Sequence, residues 1–205
     1  MRTLIYIPII HTQADMGALA GAVRRLAIEK LGYREWERSI QAIDQLWAVL
    51  REAIEKMDLP YPRVRLYQDG LPQCGREVQI VTDLAQAGSP NHQLLLFLIQ
   101  KGGTLVGTES PDLLLEEYQL VQQVLDAQSC GEAEPVQARQ QSLSRSLLER
   151  RDRYIAERIN ETLRQEETGI LFLGMLHSLG EKIAKDIQVH YPILRPAQPK
   201  ERKGP

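Results

Sequence analysis

At 205 residues, with 43% hydrophobic residues, 25% charged residues and a net charge of -2, the chain has the apolar content for one sizeable globular domain. Near-neutrality and an aromatic content of 5% argue against a nucleic-acid binder that works by bulk charge or base stacking. Two cysteines, Cys74 and Cys130, make neither a disulfide framework nor a CxxC zinc site, and no apolar run approaches the roughly 20 residues of a membrane helix.

The first apolar run, Leu4 to Ile10, is rich in β-branched residues and reads as a strand over Thr3 to Ile7, with Pro8 to Thr12 as the turn beyond it. No small-residue cleavage site follows it, so the expectation is a cytoplasmic protein without a signal peptide or membrane partner. Asp15 is placed to cap a helix in which Leu19, Val23 and Leu26 recur at helical spacing, and Gly32 ends that helix. Trp36, Ile40, Ile43, Trp47, Leu50, Ile54 and Met57 then alternate steps of four and three, a coiled-coil-like seam. Residues 13–58 thus read as a long helical hairpin inserted after the first strand. Its seam either packs on its neighbour within the chain or pairs two chains into a homodimer.

Arg63 to Gln68 alternates charged and apolar side chains, a second strand nearer the sheet edge that turns at Asp69-Gly70. Val78, Val81, Leu84 and Ala85 mark a short helix, and Ser89-Pro90 is a cap and first-turn proline for the next. Thr104 to Thr108 forms a third strand ending at Glu109, followed by a helix opened by Ser110-Pro111. Ser129 to Arg139 has no period and reads as a loop, after which a charged helix spans about Gln140 to Gln165. Gly169 to Leu176 is a continuous apolar run bounded by glycines, the pattern of a strand buried on both faces, and His177 stands at its end. A last helix over Glu181 to Lys185, a short strand around Ile187 to Tyr191 and a disordered tail over 196–205 complete the reading. Residues 1–195 form a single α/β domain with a mostly parallel sheet and helices on both faces.

Four strands therefore end in ionisable side chains: His11, Asp69, Glu109 and His177. In a parallel sheet these ends share one edge, where open α/β folds bind ligands. Two imidazoles and a carboxylate suit a divalent metal (Zn, Mn or Co) with an open position for water. His11, His177 and Glu109 are the expected ligands, with Asp69 as a further ligand or an orienting partner. Glu109 or Asp69 is also the candidate catalytic carboxylate. The same side chains equally serve as helix caps or loop hydrogen-bond partners. Arg150, Arg151 and Arg153 lie within one helical turn and are candidates for binding an acidic ligand; the competing reading is a solvated face paired to Glu149 and Glu157.

Gly174-Met175-Leu176-His177, and the preceding helix Arg150-Arg151-Asp152-Arg153-Tyr154-Ile155-Ala156-Glu157-Arg158-Ile159, resemble the second GxxH motif and the RDxxIAxxI-like helix of the TraB/PrgY and TIKI group, within the wider EreA- and ChaN-like set. The likeness covers about Arg150 to Gly180. His11 sits where that family has its first GxxH, but the residues read Pro8-Ile9-Ile10-His11, with proline for glycine. Glu109 or Asp69 takes the place of its acidic residue. The resemblance implies a metal-dependent hydrolase acting on a small molecule or a peptide bond. The other expectation is a non-catalytic regulatory protein of the same fold, holding an acidic ligand and dimerising through the hairpin.

Overall fold

The computed structural model describes residues 1–12, 15, 20–130 and 134–192, with side chains described outside 125–141. Five strands, β1 (Arg2–Ile9), β2 (Val64–Gln68), β3 (Thr104–Val106), β4 (Thr168–Gly174) and β5 (Ile187–His190), form one sheet in the order β3-β2-β4-β1-β5. Every pairing is parallel. The helices are α1 (Ala20–Leu31), α2 (Tyr33–Glu55), α3 (Glu77–Gln86), α4 (Pro90–Gln100), α5 (Pro111–Cys130) and α6 (Glu134–Thr162). A parallel sheet needs both faces covered, and here two apolar clusters cover them. One joins Ile170 and Phe172 of β4 to Trp47, Leu50 and Ile54 of α2 and Leu94, Leu95 and Leu98 of α4. The other joins Leu171 and Leu173 to Ile155, Ala156, Ile159 and Leu163 of α6. The apolar run of β4 is continuous because alternate residues enter different cores.

The first strand is longer than its proline suggests: Pro8 lies inside β1 in register with Leu173. The partner on the other side, β5, reaches only to Ile5, so Pro8 occupies a stretch paired on one side, where a missing N–H is tolerated. β2 lies one strand in from the edge. It pairs with β3 and β4, and its Arg65 side chain is neutralised by Glu167 rather than by solvent. Ser89 caps α4 as expected, its hydroxyl accepting from the His92 backbone N–H. The expected loop over 129–139 is helical except at 131–133, which lie outside the described residues, as do 13–14, 16–19 and 193–205. The last expected helix is a single tight turn at Gly180–Lys182. α1 and α2 are joined by Gly32 at φ 78°, and the lower half of the α2 seam is buried against the chain's own core.

Candidate active site

The parallel pairing brings the carboxyl ends of β1, β2, β3 and β4 to one edge, and the side chains expected there meet. Asp69, the residue after β2, is the hub. Its Oδ2 accepts from the Gly174 backbone N–H at 2.8 Å and from His11 Nε2 at 3.1 Å. Its Oδ1 accepts from Arg151 Nη2 at 2.8 Å and lies 3.6 Å from His177 Nε2. The approach is possible because residue 174 lacks a side chain: a Cβ there would sit 2.8 Å from Asp69 Oδ2. That is the physical content of the glycine in Gly174-Met175-Leu176-His177. The turn closes with the His177 N–H donating to the Gly174 carbonyl at 3.1 Å.

α6 supplies the second half of the cluster. Arg151 and Asp152 lie on its buried face, one turn before Ile155 and Ala156. The Arg151 fork donates Nε to Glu109 Oε2 at 2.6 Å and Nη2 to Glu109 Oε1 at 2.7 Å; Nη1 bonds Glu117. Glu109 Oε1 also accepts from the Gly70 N–H at 2.6 Å. Asp152 Oδ1 holds His177 Nδ1 at 2.6 Å, and its Oδ2 accepts from the Ser178 N–H at 2.9 Å. The Tyr6 hydroxyl, buried on the α6 side of β1, has no protein partner among the described residues.

Charge states follow from this arrangement. Burial would raise the Asp69 carboxyl, but His11 and His177 hold it well below the usual carboxylate range. Burial would lower His177, yet the Asp152 hydrogen bond and the Asp69 charge outweigh it and raise its pKa to about 9, so it is an imidazolium at neutral pH. In the same way, Asp69 overcomes burial at His11 and shifts it upward. Burial pushes the Glu109 carboxyl up while Arg151 pulls it back, and the three carboxylates hold Arg151 firmly protonated. Of the two imidazoles only His11 is open: 33% of its side chain is exposed, against 4% for both Asp69 and His177.

Of the three arginines proposed for ligand binding, only Arg151 enters the cluster. Arg150 is exposed and pairs with Glu116 at 2.7 Å, and Arg153 is exposed. Asp152 and Glu117 were not expected at the site. For Asp152 a signal existed, since a charged residue three and four positions before Ile155 and Ala156 falls on the apolar stripe of its helix. His92, given no role from sequence, ties the start of α4 to Asp15 at 3.2 Å, and Asp15 also accepts from the Thr12 N–H at 2.6 Å. Asp15 thus stands in a turn after β1 and pins the chain next to His11.

The donor set can be tested against a divalent ion. Both histidines present Nε2 to Asp69, while Glu109 faces Arg151 with both oxygens. Among the described residues no three His, Cys, Asp or Glu side chains are grouped to hold a metal. The positive charge between Asp69 and Glu109 is supplied by the guanidinium, so Glu109 as arranged is taken up by Arg151, while the Nε2 atoms of His11 and His177 both face the Asp69 carboxylate, at 3.1 and 3.6 Å. No helix of the described residues is long and apolar enough to cross a membrane. Compared with protein-family models, with curated proteins and with solved structures, the chain matches none.

Proposed function

We propose that the strand-end cluster is the site of a hydrolase that acts on a small-molecule or peptide substrate, with His11 as general base. The observation that carries this reading is the asymmetry of the cluster: one imidazole is open to solvent and is bonded through Nε2 to a buried carboxylate. Asp69 accepts the Nε2 proton, which leaves the lone pair of Nδ1 to take a proton from water and keeps the resulting imidazolium charge-paired. His177, protonated and held by Asp152, has its Nε2–H 3.6 Å from Asp69, too long for a good hydrogen bond. Its charge faces the Asp69 carboxylate and keeps it ionised; buried as it is, His177 positions and does not touch substrate. Arg151 keeps Asp69 and Glu109 ionised and in place; it positions and does not touch substrate.

The test is hydrolysis of p-nitrophenyl esters and of a fluorogenic peptide library by the purified chain and by His11→Ala, with elemental analysis of both. A general base contributes roughly 100-fold or more, so His11→Ala should lose at least that factor. Equal rates in the two proteins would sink the reading. One metal ion per chain that disappears in His11→Ala and His177→Ala would replace it with a metal-dependent hydrolase.

One observation favours a second reading, a non-catalytic regulatory protein that binds a small ligand. All four Arg151 hydrogen bonds go to the protein's own carboxylates, as in a structural lock. Absence of any turnover across the library, with saturable ligand binding, would support that reading.

A further inference from the structure

The α2 seam is longer than the core it packs on. Its lower residues Trp47, Leu50 and Ile54 are buried, whereas Trp36, Ile40 and Ile43 on the same face are only half-buried. Opposite this upper half lies a cleft of about 260 Å³, lined by Thr12, Trp36, Ile40, Ile43, Asp44, Gly88 and Pro90. That is just under the roughly 300–1,000 Å³ of pockets for drug-sized molecules, and so a fit for a smaller ligand. The far wall is held in place: Asp15 accepts from Thr12, from the Ser89 hydroxyl at 2.5 Å and from His92, locking Thr12 to the segment between Gly88 and Pro90. Its carboxyl, held down to about 2 by these bonds, is saturated and has nothing left to offer a ligand.

The remaining charge on the lining is Asp44, which is exposed and forms no ion pair among the described residues. The Trp36 ring already carries the Arg24 guanidinium, 4.8 Å from its centroid, so the indole serves as apolar wall; apolar walls with one carboxylate at the rim, unpaired among the described residues, are complementary to an apolar body carrying a cation. We propose that this cleft binds a small alkyl- or aryl-ammonium group. Thr12 lines the cleft and His11 precedes it, so the bound group lies beside the strand-end cluster. On the hydrolase reading, on which this last step rests, it is the specificity pocket for an amine-bearing apolar substrate, such as a compound or residue with a lysine-like side chain.

Binding is measured without turnover, so that failure of the pocket and failure of the hydrolase are separate results. Hexylammonium, hexanol and hexanoate are titrated into the full chain, followed by calorimetry and tryptophan fluorescence, with solution mass recorded throughout. Hexylammonium is expected to bind saturably at one site, ahead of hexanol and then hexanoate. Asp44→Asn should weaken hexylammonium about threefold to fivefold and leave hexanol unchanged, as for a partly exposed ion contact. Trp36→Phe should remove the fluorescence change but keep the heat, and His11→Ala should bind like the parent chain. No saturable binding of the amine, equal binding of hexanoate, or indifference to Asp44→Asn would overturn the proposal. So would a dimer that Ile43→Asp converts to monomer, because a second copy of the seam would then occupy the cleft.

Discussion

Replacing Arg151 with methionine is the sharpest test of how the site is held. The guanidinium makes four charge-assisted hydrogen bonds to three carboxylates, and two of these, Asp69 and Glu109, are almost wholly buried. Glu117 is 41% exposed, so water can replace that bond at little cost. Methionine fills much of the volume but leaves the Glu109 carboxylate buried without a counter-charge and Asp69 with only its histidine partners, which costs about 3–5 kcal/mol. A domain of this size has about 5–15 kcal/mol in total, so the variant should fold but unfold at much lower urea. The sign of the pH dependence is also determined. Without Arg151 the folded-state carboxyl of Glu109, already pushed up by burial, rises further above its unfolded value. The penalty is then full at neutral pH and shrinks as the group protonates on acidification, by about 1.4 kcal/mol for each unit of raised pKa relieved. Urea unfolding of parent and variant at pH 7 and pH 5, followed by far-UV circular dichroism, measures both effects. A loss under about 1 kcal/mol at pH 7, or a loss that does not change with pH, would refute the account of a buried carboxylate pair dependent on one arginine.

Three further outcomes are expected. His177 is raised from 6.5 to about 9, so its stabilising contribution is complete below pH 6.5 and is lost as pH rises through 9. That shift corresponds to roughly 3 kcal/mol of stability between pH 6 and pH 9.5, and Asp152→Asn should flatten the decline; an equally steep decline in the variant contradicts the assignment. Gly174→Ala places a methyl 2.8 Å from Asp69 Oδ2 and should cost about 1–3 kcal/mol while lowering the NMR-measured pKa of His11, because the carboxylate is pushed from the ring. A silent Gly174→Ala would mean Asp69 moves freely. Finally, kcat/KM for any substrate cleaved should rise with pH as His11 loses its proton, above the ordinary histidine value of 6.5, and fall near pH 9 with His177. A rate still climbing at pH 10 would mean that the charge on His177 does not support the site.

Much of the site could be read from the chain because its members stand at strand ends. A parallel sheet puts all such ends on one edge whatever the strand order, so position in the chain alone groups His11, Asp69, Glu109 and His177. What they do to one another could not be read. Glu109 was expected beside the histidines and instead faces Arg151, since the rotation of α6 about its axis decides which arginine points inward. Spacing does separate Arg151 from Arg150 and Arg153, since it stands four residues from both Leu147 and Ile155 on the apolar stripe of α6; which carboxylates meet it there is a contact across the sheet that local spacing does not encode.

Sequence by itself determined the alternation of strand and helix, the double-sided burial of β4, the cap at Ser89 and the glycine-bounded turn at His177. These follow from side-chain period and backbone freedom within a few residues. Tertiary structure decided the rest. It kept Pro8 inside β1, because β5 is short; it made β2 an internal strand, because Glu167 neutralises Arg65; and it made the long segment after α5 helical. It also placed a guanidinium between two carboxylates. Each of these outcomes depends on a partner distant in sequence, and the energy of a buried charge depends on which partner arrives.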